Sequence, residues 1–291
     1  MLSEQTIHRL LSIIPHNQDY HSPISGLYIR HSDQPFTYDG VIQEPSICII
    51  LQGKREIQLG EQCFLFDNEH FMFCPVNVPM CGKIYPDTTN KPFFMLSLKI
   101  DLITVGKILR ENPTLFDHND DAELPTFLPW KLDNELLGAF ERLLLLHESP
   151  QNISFLAPLI QQEIYYRLLI SKLGYKLKQM VNVNSHTQKI NCATDYLRQH
   201  FNERIRIETL AQQCGMSVSG FHSHFKNITG LSPLQYQKSL RLNTARRMIK
   251  QGSTVIAEIA YEVGYESPSQ FSREYKRRFG ETPRYEREMV L

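Results

Sequence analysis

Long apolar runs are missing. No stretch of 18 consecutive apolar residues occurs in the 291-residue sequence, so no ordinary membrane-spanning helix is expected. The start of the chain also lacks the apolar centre of a secretory signal, because Glu4, His8 and Arg9 stand where it would lie; a cytoplasmic location is the expectation. Six cysteines (Cys48, Cys63, Cys74, Cys81, Cys192 and Cys214) include no Cys-x-x-Cys pair, and in a reducing compartment they read as free thiols. There is no Gly-rich phosphate loop, no Gly-x-Ser-x-Gly elbow and no paired-carboxylate motif, so an enzyme has no residues to stand on and no cofactor is expected. A metal centre is equally short of ligands: His70 has no neighbouring His in the strand-forming region, and Glu61 and Glu69 fall at expected turns.

Net charge is also absent, with 31 Lys plus Arg against 31 Asp plus Glu, but it is unevenly spread. From Val183 onward there are 16 basic against 10 acidic residues, a net of +6, leaving 15 against 21 and a net of −6 for residues 1 to 182. A basic end on an acidic body suits a nucleic-acid reader whose other half does not touch DNA.

What is present is one pattern written twice between Ile207 and Tyr285. A shift of 49 positions lays Ala211 on Ala260 and Gly215 on Gly264. A shift of 50 then lays Ser217 on Ser267, Phe221 on Phe271, Phe225 on Tyr275, Lys226 on Lys276, Gly230 on Gly280 and Pro233 on Pro283. Each copy predicts helix, tight turn, helix. Ile256, Ile259, Ala260 and Val263 form one apolar face, with Leu210, Ala211 and Cys214 as the weaker counterpart. Gly215 and Gly264 end those helices, Ser217 and Ser267 cap the next, and Pro268 suits a first helical position. Phe221, Phe225 and Ile228, or Phe271, Tyr275 and Phe279, make the buried stripe. The opposite face carries Ser219, His222, Ser223 and Lys226 in the first copy, and Ser269, Gln270, Arg273, Lys276 and Arg277 in the second. Arg and Gln match base edges in the major groove, and Lys and flanking Arg neutralise phosphates, which is the form of helix-turn-helix recognition.

The run Ile259-Ala260, Gly264 to Arg273, Tyr275-Lys276, Phe279-Gly280, Thr282-Pro283, Tyr285 and Arg287 resembles the signature of the AraC-type transcriptional regulators over about the last hundred residues. The resemblance implies a bacterial DNA-binding domain of about seven helices, in which one long helix, here Pro233 to Gln251, joins two helix-turn-helix units that enter successive major grooves. It makes Ser219, His222, Ser223, Ser269, Gln270 and Arg273 base-reading candidates and Lys226, Lys276 and Arg277 phosphate contacts. The first copy departs from the pattern, because Gly220 lies within its reading helix, costing up to ~1 kcal/mol against Ala, and no Arg stands on its reading face.

Upstream the period is that of strands. Ile47 to Leu51, Ile57 with Leu59, Gln62 to Phe66, His70 to Cys74, Val78 to Ile84 and Pro92 to Ile100 are short segments divided by turns at Gln52-Gly53 and Gly60-Glu61, favouring a barrel or jelly roll. A short amphipathic helix is expected over Leu2 to Ile14. Helical pattern dominates 131 to 173, with one face of Leu132, Leu136, Leu137, Phe140, Leu143 and Leu144 and another of Leu156, Leu159, Ile160, Ile164 and Leu168. The segment from Pro45 to Lys54, with Leu59-Gly60, Pro79 and Lys91-Pro92, looks like the N-terminal domain of one AraC-type subgroup. That resemblance implies a cupin-like barrel that binds a small effector, and helices that dimerise.

The expectation is therefore an α+β protein: residues 1–180 a cupin-like β-barrel with flanking dimerisation helices, 181–188 a linker, and 189–291 an all-α tandem helix-turn-helix domain. Cys48, Ile50, Ile57, Phe64, Phe66, Phe71 and Phe73 are the candidate effector lining, and Leu137, Leu144 and Leu145 the candidate homodimer contacts. The partners expected are double-stranded DNA, an unidentified small effector, a second copy of the chain, and RNA polymerase if the protein is an activator. The alternatives are a DNA-modifying repair enzyme with a strand cysteine as acceptor, or a cysteine-based redox or electrophile sensor.

Overall fold

The computed structural model describes residues 19–59, 62–87, 91–113, 127–252 and 255–289, together with Ile7, Arg9, Ser12 and Ile14. The turn expected at Gly60-Glu61 and most of the expected N-terminal helix lie outside those residues. Among the described residues ten strands run from β1 to β10: Asp19–His21, Leu27–Ser32, Phe36–Gln43, Ser46–Gln52, Lys54–Leu59, Gln62–Phe66, His70–Cys74, Val78–Tyr85, Phe93–Lys99 and Trp130–Lys131. They pair antiparallel in two sheets, one of six strands in the order β1-β2-β9-β4-β7-β10 and one of four in the order β3-β8-β5-β6. Among the described residues no ladder joins the two, so the strands form an open sandwich and not the closed barrel expected. Gly53 makes the β4–β5 turn at φ +84, where a Cβ would also lie 2.6 Å from the Tyr85 carbonyl oxygen.

Strand alternation sends two sets of side chains to opposite faces of the six-stranded sheet. Cys48, Ile50, Met72, Cys74, Phe93 and Met95 face the smaller sheet, meeting Tyr38, Ile57, Leu59, Phe66, Met80 and Ile84. Leu27, Ile29, Ile47, Ile49, Phe71, Phe73, Phe94, Leu96 and Leu98 face the other way, onto four helices. These are α1 (Leu102–Glu111), α2 (Asn134–Leu145), α3 (Ile153–Ile170) and α4 (Gly174–Val181). Asp101 and Asp133 cap α1 and α2 by accepting from the Ile103 and Leu136 amides. Phe71 and Phe73 therefore belong to the core under the helices and not to a lumen.

Two further corrections concern the helices. Leu144 is fully buried and belongs to the core rather than to a dimer surface, while Leu137 and Leu145 are half-buried. In α3 the buried residues are Ala157, Ile164, Tyr165, Leu168 and Leu169. Leu156 and Leu159, assigned inward by the sequence pattern, are exposed beside Phe155, Tyr166 and Ile170.

The remaining helices are α5 (His186–Gln199), α6 (Ile207–Gln213), α7 (Val218–Thr229), α8 (Pro233–Lys250), α9 (Ile256–Glu262), α10 (Pro268–Phe279) and α11 (Pro283–Glu288). Helix α5 begins at His186 because the Ser185 hydroxyl accepts from the Gln188 amide at 3.1 Å, which shortens the connection that the polar composition suggested. Helix α8 starts with a capping box, Ser232 accepting from the Gln235 amide while the Gln235 side chain accepts from the Ser232 amide.

The sheet unit and the helical unit share a core. Tyr236 of α8 is buried and donates from its hydroxyl to the Asn77 carbonyl at 2.7 Å, and Asn77 donates to Asp195 of α5 at 3.1 Å. Gly40 in β3 (φ +73) presses on α8 so closely that a Cβ there would lie 2.5 Å from the Asn243 Cβ. Arg278 at the end of α10 reaches the Cys81 sulfur of β8 at 3.1 Å.

Candidate nucleic-acid interface and inter-sheet cavity

The two halves of the repeat fold alike, for the reasons their residues suggest. Gly215 and Gly264 adopt left-handed φ values of 62 and 89 just past α6 and α9. At Gly264 a Cβ would stand 2.1 Å from the Asn202 carbonyl oxygen, so the turn also demands bare backbone. Ser217 accepts from the Gly220 amide at 3.2 Å and Ser267 from the Gln270 amide at 3.4 Å, starting α7 and α10. Gly220, out of pattern in sequence, stands at this cap: a Cβ on it would lie 3.1 Å from the Ser217 hydroxyl oxygen. Phe221 and Phe225 of α7, and Phe271 and Tyr275 of α10, are fully buried.

Burying those aromatic stripes turns the other faces outward. Ser219, His222, Ser223 and Lys226 are all exposed on α7, and Ser269, Gln270, Arg273, Lys276 and Arg277 are all exposed on α10. Helix α8 fixes the units to each other. Gln237 and Arg241 donate to the Phe201 and Glu203 carbonyls just beyond α5, at 2.7 to 2.9 Å. Lys238 pairs with Glu274 at 3.3 Å, and Glu274 accepts from the Tyr265 hydroxyl at 2.9 Å. Arg246 pairs with Glu286 at 2.7 Å, and Glu286 also accepts from the Tyr275 hydroxyl. Burial alone would raise the Glu286 carboxyl, but Tyr275, Arg246 and Lys250 together hold it below the usual carboxylate range. Four carboxylate and carbonyl anchors on one helix leave the reading helices little independent play.

On the first unit the sheet lies close by. Gln62, Phe64 and Phe127 form, with Ser223, Lys226, Asn227 and Gly230, a crevice of about 310 Å³ beside the C-terminal half of α7.

A cavity of about 380 Å³ opens between the sheets, lined in part by Tyr28, Arg30, Ile42, Arg55, Met95, Ser97 and Lys99. None of the seven residues expected to line an effector site borders it. Cys48, Ile50, Ile57 and Phe66 are packed in the interior beyond it, Phe64 borders the α7 crevice, and Phe71 and Phe73 lie under the helices. The residue that sequence reasoning missed is Arg55, only 3% exposed. Its Nε donates to the Tyr38 hydroxyl at 2.8 Å, one terminal nitrogen contacts the Met95 sulfur at 3.4 Å, and the guanidinium lies 4.9 Å from the Tyr38 ring centre. Burial raises the Tyr38 phenol despite the nearby arginines, so it stays neutral at physiological pH and supplies no counter-charge. The signal was parity: Arg55 shares the inward register of β5 with Ile57 and Leu59.

Of the cysteines, Cys48, Cys74 and Cys81 are buried and Cys63 and Cys192 exposed. Burial pushes the Cys74 thiol well up, away from the reactive thiolate. Among the described residues no group of three His, Cys, Asp or Glu could hold a metal ion, and no helix is long and apolar enough to cross a membrane.

Residues 23–176 match the family model of the AraC-type transcriptional regulator N-terminus, and residues 210–289 match a helix-turn-helix domain. The HTH-type transcriptional activator RhaS of Escherichia coli is 25% identical over 170 residues, 58% of this chain and 60% of that protein. The match thus spans about 60% of the length of this curated relative. Among solved structures, ToxT from Vibrio cholerae O395 bound to (E)-4-(8-methylnaphthalen-1-yl)but-3-enoic acid superposes with a TM-score of 0.50 and 13% identity, covering 91% of this chain and 98% of that one. An apo ToxT variant from Vibrio cholerae strain SCE256 gives 0.51 and 13%, covering 94% and 100%. At that identity the likeness is one of fold.

Proposed function

This chain belongs to the AraC-type transcriptional regulators, and we propose that it is a sequence-specific DNA-binding regulator whose reading is set by a small effector held between the two sheets. The observation that carries the proposal is the pair of capped helices, α7 and α10, turned outward by their aromatic stripes and braced on one helix. In this reading residues 189–291 contact DNA, with Ser219, His222, Ser223, Ser269, Gln270 and Arg273 at base edges and Lys226, Lys276 and Arg277 on phosphates. Residues 1–180 sense and dimerise, and the work is done on chromosomal DNA in the cytoplasm.

Effector control has a physical route, since α8 and the end of α10 touch the sheets at Gly40, Asn77 and Cys81. A ligand that binds one arrangement of that contact better than another shifts its population. For the homodimer, the exposed face of Phe155, Leu159, Tyr166 and Ile170 on α3 replaces Leu144 as the contact. RhaS is an activator by name, and contact with RNA polymerase follows if this chain acts likewise.

The test is a footprint of the full-length chain on its own upstream region across a salt series. Protection of two adjacent major grooves, weakening steeply as salt rises, is expected because each neutralised phosphate releases counterions. Uniform, sequence-independent coverage would overturn the proposal.

A further inference from the structure

The charge arrangement around the inter-sheet cavity says what kind of molecule fits it. Three cations and two carboxylates border the space: Arg30, Arg55 and Lys99 against Asp19 and Glu44. Asp19 accepts two hydrogen bonds from Arg30 at 2.5 Å, and Glu44 pairs with Lys99 at 3.1 Å, so both carboxylates are matched where the side chains are most exposed. Arg55 is the cation left over and the most deeply set, with a neutral phenol, a thioether and the Cys48 thiol as its contacts, and no carboxylate among them. A guanidinium taken out of water without a counter-charge is costly, and it binds any anion that reaches it more strongly than an exposed one does.

We propose that this cavity is a binding site for a small organic acid, with the carboxylate seated on Arg55 beside the Tyr38 hydroxyl and the apolar remainder against Ile42 and Met95. The planar guanidinium presents parallel N–H donors that match a carboxylate, as a lysine would not. The volume of about 380 Å³ lies at the small end of ligand pockets. Ile42 and Met95 give it an apolar wall, while the Ser97 hydroxyl at its edge can hold one further polar group. Tyr38 is on β3 two residues before Gly40, so the seat for the acid and the contact on α8 belong to one strand, across the register shift between Tyr38 and Val41. This inference rests on the regulator reading for its biological meaning, but not for its chemistry.

The experiment is calorimetric titration of the full-length protein with benzoate, 4-phenylbutyrate and octanoate, each beside the neutral amide of the same skeleton. At least one acid is expected to saturate one site per chain, with its amide about tenfold weaker or worse. Arg55→Met should erase that preference and Arg55→Lys should keep part of it; circular dichroism establishes that each variant is folded. Equal binding of acid and amide, an acid preference that survives in Arg55→Met, or no binding of any of the three acids at millimolar concentration would overturn the proposal. If Arg55→Met does not fold, loss of part of the preference in Arg55→Lys supports the site and an unchanged preference overturns it. The same preparations are assayed on the upstream DNA. Failure of acid binding with specific DNA binding intact removes this inference alone, whereas acid binding without specific DNA binding removes the regulator reading and leaves the site.

Discussion

Replacing Gly40 by alanine tests whether the sheets grip the helix that joins the two reading units. Gly40 has φ +73, and the new Cβ would stand 2.5 Å from the Asn243 Cβ. Left-handed backbone costs an ordinary residue ~1–2 kcal/mol, of which the stiffer unfolded chain returns ~0.4–1 kcal/mol. Forcing a methyl group into a filled contact adds ~1–3 kcal/mol. The net destabilisation is roughly 1–5 kcal/mol, with Tm falling by roughly 2–4 °C for each kcal/mol in a unit of this size. Asn243→Gly removes the atom that is struck but costs ~1 kcal/mol on its own as a helix-interior glycine. In the double variant the steric part disappears while the backbone part remains. A double-mutant cycle by urea denaturation should therefore show a favourable coupling of ~1–3 kcal/mol. Additivity to within ~0.5 kcal/mol would mean that β3 and α8 do not press on one another in solution, and the route from sheet to reading helices would fall with it.

Arg273→Ala should cost ~1–3 kcal/mol at the cognate site and relax preference at one base, whereas Lys276→Ala should weaken all sequences alike; competition with single-base operator variants decides, and a uniform loss from Arg273→Ala would make that residue a phosphate contact. Leu159→Glu, on the exposed face of α3, should yield monomers in sedimentation with little change in melting, while Leu144→Ala should cost ~2–5 kcal/mol because it empties a buried site. Stability should decline with acid in two stages, followed by thermal melts at stepped pH. His186, stacked 3.7 Å from His224, has its pKa lowered by burial first and then by the charges of His224 and Lys189, so below about 6.5 the unfolded chain takes up the proton more readily and stability falls. The depressed carboxyls of Glu274 and Glu286 contribute stability that is present above their ordinary value of 4.5 and lost as pH falls through their lower folded values. A melting temperature that rises between pH 6.5 and 5 would contradict the first stage.

The helical end was legible because its signals are local. Gly264, Ser267 and Pro268 each have one conformational use at their positions, and duplication states it twice. Strands β4 to β9 were equally open, being short runs between turn residues. Strands β1, β2, β3 and β10 were not, because Arg30, Asp39 and Gly40 interrupt the apolar alternation and β10 is only two residues long. Two of the expected lining residues, Phe71 and Phe73, face away from the sandwich for a definite reason. β7 is buried on both faces, so periodicity cannot tell whether Phe71 and Phe73 face the sandwich or the helices, and aromatic content pointed the wrong way. The informative residue was the charged one on the inward parity of β5. In α3 an apolar side chain occurs nearly all round, so sequence alone could not separate the buried Ile164 and Leu168 from the exposed Phe155 and Leu159.

Helix α8 acts as a ruler. Its 18 residues, at ~1.5 Å per residue, span ~27 Å, comparable with the ~34 Å repeat of the duplex. Because it is one unbroken helix anchored at Gln237, Arg241 and Arg246, its length and its twist are a single quantity. One inserted residue would advance the second unit by only ~1.5 Å but swing it by ~100°, away from the groove it enters in the proposed reading. The DNA must answer in kind: half a turn of base pairs added between the two contacted segments should abolish joint engagement, leaving each unit to bind alone.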